Sequence, residues 1–253
     1  MEPSLGLVLG LILSVLIGVS LGLMGGGGSI ITLPILVYVI GIGARPAVGM
    51  SLAVVGSTSL ISSLLHHRGG RVVWRTALLF GSAGILGAAF GSKLTYLVSA
   101  RILLLLFAAL MLVVGTLMLL RREQKDIDEE HPSAWKAILA GAIVGVLTGF
   151  LGVGGGFLIV PALMFFGGLH IKEAVGTSLV VISINCAAGL IGHLRYGYER
   201  FDWSIALAVT ACAIAGALVG TRMAGKIDPK KLRRLFAWFV LAVAVFIAAR
   251  NVG

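Results

Sequence analysis

Residues 22–34 read GLMGGGGSIITLP, and residues 149–161 read GFLGVGGGFLIVP, 127 positions later. The four consecutive glycines from position 25 to 28 leave the backbone without side chains inside apolar sequence. Glycine in a helix interior costs about 1 kcal/mol relative to alanine, so a helix breaks at such a run. In a bilayer a broken helix is tolerated only where its freed N–H and C=O groups face protein or a water-filled cavity. Breaks at matching points of two repeats point to a transporter binding site.

Working outward, the chain has 253 residues, 58% of them hydrophobic and 12% charged, with several apolar runs long enough for a membrane. Spanning about 30 Å of hydrocarbon takes about 20 such residues, so the expected class is an all-α polytopic membrane protein. The net charge of +10 does not indicate nucleic acid, because the basic residues lie in short segments between apolar runs, as topology signals do. Cys186 and Cys212 sit inside apolar runs with no Cys-x-x-Cys or nearby His pairing, and read as small core residues. The first run follows an acidic Glu2 and lacks a basic segment, unlike a cleaved signal peptide.

The expected runs in the first half are residues 4–24, 28–42, 46–65, 73–97 and 101–120. A hydrophilic linker at 121–133 separates this repeat (1–120) from a second (134–253), whose runs are 134–151, 155–168, 171–194, 201–226 and 228–252. The repetition extends beyond the glycines. At the same offset AVGMSL (47–52) matches AVGTSL (174–179), and His66 and Arg68 match His193 and Arg195. Shifted by two, Gly87-Ala88 matches Gly216-Ala217, and Gly91-Ser92-Lys93 matches Gly220-Thr221-Arg222.

If all five runs of each half cross the membrane, the second repeat is inverted. The segments 66–75, 121–136 and 222–234, with Lys172, then share one side and hold 14 of the 20 Lys and Arg residues. If the short second run is re-entrant, the basic residues divide almost evenly. The positive-inside rule therefore favours two inverted repeats of about five transmembrane segments each, with helices broken at the glycine-rich stretches.

A helix starting just after a glycine run points its unpaired N–H groups and the positive end of its dipole into whatever cavity the break lines. Gly26, Gly27, Gly28 and Ser29 from one repeat, with Gly154, Gly155 and Gly156 from the other, form an expected anion site without a buried cation. The opposing reading is close helix packing, as in small-xxx-small patterns. Near the start of each third run lie Gly49, Ser51, Ser57, Thr58 and Ser59, and Gly176, Thr177, Ser178, Ser183 and Asn185. Of these, Ser51, Thr177, Ser178 and Asn185 are the chosen extra donors to an oxyanion. Met24, Phe150 and Phe157 read as packing.

All ten acidic residues fall at run ends or in loops, which argues against a carboxylate relay at the midplane. His66, Arg68, His193 and Arg195 are candidates for gating or anion contact, with an interfacial anchor as the competing role for the histidines. Lys93 and Arg222 read as snorkelling to opposite surfaces. No metal or cofactor is expected, since the breaks lack acidic, Cys or His ligands.

The paired breaks ending in Pro34 and Pro161, the AVGTSL stretch at 174–179 with its degenerate partner at 47–52, and the duplicated layout resemble the TauE/SafE sulfite-exporter family of membrane permeases. The resemblance covers nearly the whole chain. It implies a multi-pass transporter of the cell inner membrane that handles sulfur-containing anions: sulfite, organosulfonates such as sulfoacetate, or related oxyanions. Two departures mark the first repeat, which has Met50 in place of Thr177 and Ser29 in place of Gly156.

The expected function is a secondary transporter exporting a small sulfur oxyanion. An inside-negative potential contributes about 2.3 kcal/mol per charge per 100 mV to anion efflux. The alternatives are a passive anion channel and an uptake permease for another oxyanion. An intramembrane hydrolase pairing Ser57 with His193 lacks a Gly-x-Ser-x-Gly elbow and a carboxylate to orient the histidine. Partners are the anion and membrane lipids, not nucleic acid. Small residues on many helix faces permit a homodimer without requiring one.

Overall fold

The computed structural model describes residues 3–94, 100–120, 134–151, 156–196 and 202–252, all of them helical or in short connections. The order is α1 (Pro3–Met24), α2 (Gly27–Pro34) with a π-helical continuation (Ile35–Val39), α3 (Ala44–Arg68), α4 (Trp74–Leu94) and α5 (Ala100–Leu120). After the linker come α6 (Ala134–Leu151), α7 (Gly156–Phe165), α8 (Ile171–Tyr196), α9 (Trp203–Lys226) and α10 (Pro229–Val252). Four described helices are long and apolar enough to cross a membrane: Leu5–Met24, Pro46–Arg68, Ile171–Ile191 and Trp203–Lys226. Shorter apolar helices cover Gly27–Val39, Trp74–Phe90, Ala108–Leu120 and Trp135–Leu147.

Side chains explain where the helices begin and what they face. Asp202 caps α9 by accepting from the amides of Ser204 and Ile205, both at 3.1 Å, and Asp228 accepts from Lys230 N at 2.8 Å before α10. Glu173 Oε2 accepts from His170 N at 3.1 Å in the same way, so these three carboxylates serve helix starts. Leu5, Ile12, Leu16, Leu78, Leu86, Leu207 and Val219 point outward, as a lipid-facing surface requires. Exposed Trp74, Trp135 and Trp203 stand at the starts of α4, α6 and α9, where interfacial anchors belong.

The second run is not one regular α-helix. Pro34 has no N–H to donate to the preceding turn, and the ladder widens behind it, with Ile40 N donating to Ile35 O at 3.1 Å. The segment doubles back along α1. A Cβ added at Gly28 would strike Ile17 and Leu21, while one at Gly10 would meet Ile40 and one at Gly6 the carbonyl of Val39.

Glycines set the helix pairings. α1 lies on α9 with Gly18 against Ala213 and Gly22 against Ala217 and Thr221, so the two helices run in the same direction. α4 lies on α6 with Phe80 against Gly141, Gly84 against Gly145 and Gly87 against Ala142, again in one direction. The repeat offsets convert one pairing into the other: Gly18 with Ala213 becomes Gly145 with Gly84. α3 and its counterpart α8 cross antiparallel, with Leu52 against Gly189, Gly56 against Cys186 and His66 against Gly176. The buried core gathers around α8, where Ala174, Val175, Leu179, Val181 and Ile182 are fully enclosed.

Candidate functional site

Met24 ends α1, Gly25 takes φ 75°, and α2 restarts at Gly27. That left-handed turn is open to glycine and strained for other residues. Gly25 N closes α1 by donating to Leu21 O at 2.8 Å. All four glycines of the run are buried, so the break lies within protein. No side chain caps α2 at Gly26. Ser29 Oγ donates to Gly26 O at 2.7 Å and keeps its lone pairs.

Of the second break, Gly154 and Gly155 lie outside the described residues, while Gly156 opens α7. A Cβ placed on Gly156 would lie 2.7 Å from Ser29 Oγ, 3.1 Å from Ile182 Cδ1 and 3.2 Å from Gly26 O. Ser29 and Gly156 are equivalent under the 127-residue offset, so the two helix starts meet at matching positions.

The hydroxyl donors separate. Ser178 Oγ lies 3.2 Å from Gly25 O and 2.8 Å from Val175 O, donating into the first break. Thr177 turns away and accepts from Val73 N at 3.0 Å, which ties α8 to the connection after α3. Ser51, the counterpart of Ser178, is half-buried, and so is Ser183; Ser57 faces outward, while Gly49 and Gly176 are buried. Asn185 Oδ1 is buried without a partner among the described residues, and its Nδ2 approaches α4 near Gly84.

Thr58 and Ser59 are fully buried on α3, as is Ser62, which sequence reasoning passed over. None of the three hydroxyls has a partner among the described residues. Ser14, Thr32 and Thr210, by contrast, donate back to carbonyls of their own helices. The i, i+3, i+4 spacing from Thr58 through Ser62 to His66 was the signal that places them on one face.

His66 corrects the anchor reading. It is fully buried, and its Nε2 donates to Gly22 O at 3.0 Å, since a carbonyl can only accept. Its Nδ1 is buried without a partner among the described residues. Exposed His67 is the one at the surface, where its Nδ1 accepts from Trp74 Nε1 at 3.0 Å. Arg68 and Arg222 are exposed. His193 and Arg195 lie on α8, and their side chains, like those of Lys93, Phe150 and Phe157, fall outside the described set. Met24 packs in the core and Cys186 is buried.

Arg71, between α3 and α4, was not singled out from the sequence because it is one of many loop cations. It folds back beneath Gly225 at the end of α9, with Nη1 buried and unpartnered among the described residues, and burial pulls its guanidinium below the usual arginine range. Lys172 Nζ donates to Gly225 O at 3.2 Å, so two cations converge on that end.

The family model described as "Sulfite exporter TauE/SafE" matches residues 10–247. A "Probable membrane transporter protein" of Xylella fastidiosa is 38% identical over 240 residues, covering 92% of this chain and 91% of that one. The "Probable membrane transporter protein YdhB" of Bacillus subtilis is 29% identical over 238 residues, covering 92% and 93%. A "Probable membrane transporter protein" of Methanocaldococcus jannaschii is also 29% identical over 238 residues, with 89% of each chain covered. No solved structure matches.

Proposed function

The chain belongs to the sulfite exporter TauE/SafE family of membrane transporters, and from that premise we propose that it exports sulfite or a short organosulfonate across the cell inner membrane. One observation carries the reading: the starts of α2 and α7 meet at Ser29, Gly26 and Gly156, enclosed by protein. The unpaired amides of two helix starts, each at a positive dipole end, favour a small oxyanion. Gly27 and Gly28 supply backbone donors beside them, Gly154 and Gly155 join the proposed set from the sequence alone, and Asn185 and Ser51 add side-chain donors. Ser178 shapes the break through Gly25. Thr177 acts at one remove, through its bond to the loop amide of Val73.

The repeats are read as inverted, with five crossings each. The antiparallel register of α3 against α8 supports this, as does the exchange symmetry of the α1–α9 and α4–α6 pairings. The return of the second run to Gly6 supports its crossing. Rocking of one repeat against the other would then alternate access to a site at their junction.

The test is uptake of labelled sulfite and sulfoacetate by proteoliposomes under an imposed potential, with sulfate and chloride as competitors. Saturable, potential-sensitive flux with counterflow is expected. Flux without counterflow would indicate a channel, and movement of cations or neutral solutes alone would refute the anion site.

A further inference from the structure

We propose that His66 is the proton-binding residue of this carrier, and that each oxyanion crosses together with a proton held on the His66 imidazole. The inference rests on the anion-carrier reading and adds its coupling ion. His66 is fully buried on α3, three elements converge on it, and its two ring nitrogens are in unlike positions. Nε2 carries a hydrogen donated to Gly22 O on α1 at 3.0 Å. Nδ1, unpartnered among the described residues, is therefore the lone pair of a neutral ring and the atom that takes up a proton. The buried hydroxyls of Ser62, Ser59 and Thr58 continue this polar face back along α3 toward its crossing with α8.

The surrounding charges determine what a protonated His66 requires. Among the described residues, the charged group acting on it is the Arg71 guanidinium, from the connection after α3. On α8, Glu173 is engaged with His170 N and Lys172 with Gly225 O. On α9 the neighbouring polar group is Thr221, with Arg222 exposed, and on α3 itself His67 and Arg68 are exposed. An imidazolium here would be a buried cation beside the half-buried Arg71 guanidinium, with no carboxylate against it among the described residues, which is costly. An oxyanion entering the polar face supplies the missing negative charge. Proton and anion then favour each other's binding by the same factor. A proton taken from one side onto Nδ1 leaves with the anion on the other, and the ring returns to its Nε2–H form. The pair is electroneutral for a monovalent anion and keeps one negative charge for a dianion such as sulfite or sulfoacetate, whose flux stays sensitive to potential.

The experiment uses proteoliposomes containing a pH dye, clamped at zero potential, with labelled methanesulfonate as probe. Its sulfonate stays ionised throughout the working range, so any proton that moves is carried by the protein, whereas sulfite can carry its own. One proton is expected per methanesulfonate, and a pH gradient of one unit should concentrate the anion about tenfold. In His66→Gln, residual flux down a methanesulfonate gradient should carry no proton and ignore the pH gradient. Methanesulfonate flux without proton movement in the unmodified protein overturns the inference and leaves the anion carrier standing. An unchanged proton-to-anion ratio in H66Q overturns it equally. If neither methanesulfonate nor sulfite moves under any driving force, the carrier reading fails and this inference with it. Should H66Q fail to insert, the proton-to-anion ratio of the unmodified protein decides alone.

Discussion

Ser178 on α8 donates to the carbonyl of Gly25 at 3.2 Å, so a side chain of the second repeat holds the chain break of the first. The same hydroxyl lies 2.8 Å from Val175 O on its own helix, which lets it release Gly25 without losing a partner. Ser178→Ala should cost about 1 kcal/mol of stability, the net worth of one such bond. Flux should fall several-fold, and Ser178→Thr should restore most of it. Thermal unfolding and uptake on the same preparations check this. An alanine variant with full flux would remove the tie from the transport cycle.

The meeting of Ser29 with Gly156 leaves no room for a side chain. A Cβ there would lie 2.7 Å from Ser29 Oγ and 3.2 Å from Gly26 O. At Gly27 it would lie 2.8 Å from Ser20 Oγ and 2.9 Å from the Phe239 ring. Gly156→Leu and Gly27→Leu should each lower flux at least about tenfold, with the protein still in the membrane, because the surrounding helices keep their own packing. Gly156→Ala should fall between them and the unmodified protein, since the serine hydroxyl can rotate. Vesicle flux normalised to inserted protein is the measurement. Normal flux in both leucine variants would assign these glycines to packing.

How far the sequence disclosed this arrangement depends on the residue. The glycine run and the apolar periods placed α1 and α2 within a few residues, because a helix cannot conceal four glycines. The duplication in the sequence sets Gly18 opposite Gly145 in the two halves. It could not say that Gly18, Gly145 and Gly216 are packing surfaces while Gly25 is a turn, since that depends on which helix lies opposite. The packing reading of glycine holds at Gly18, Gly145 and Gly216, while Gly25 makes a left-handed turn. His66 resembles a surface histidine because it stands beside His67 and Arg68 at a helix end. Only the approach of α1 and α8 buries it. Ser62 and Arg71 escaped notice because a serine in a helix and an arginine in a loop are ordinary until tertiary contacts isolate them.

The packing glycines should respond differently from the break glycines. A Cβ on Gly145 would strike the carbonyl of Gly84, and one on Gly18 the carbonyl of Ala213. A backbone carbonyl cannot rotate aside, so the helices must separate, and overpacking of this kind costs about 1–3 kcal/mol or more. Gly145→Leu and Gly18→Leu should therefore reduce the amount of folded protein, read by size-exclusion of detergent extracts. Flux per folded molecule should fall less than in Gly156→Leu.

Asn185 offers a test of charge at the junction of the repeats. Its Oδ1 is buried without a partner among the described residues, and it sits on α8 one turn beyond Ile182, the residue against Gly156. Asn185→Asp keeps the shape and, once ionised, adds one negative charge close to where an oxyanion would pass. Repulsion then opposes the anion, while a protonated aspartic acid retains a donor and restores neutrality. Protonating the new carboxyl removes that charge. The expected result is strongly reduced sulfonate flux at neutral and alkaline pH, recovering as the pH falls and the carboxyl takes up a proton. Asn185→Leu should lose flux at every pH, having no donor to recover. Uptake of methanesulfonate between pH 5 and 8 checks both, because its charge is constant across that range. An Asn185→Asp profile that parallels the unmodified protein would place Asn185 outside the anion's path and leave it as an interhelical contact with α4.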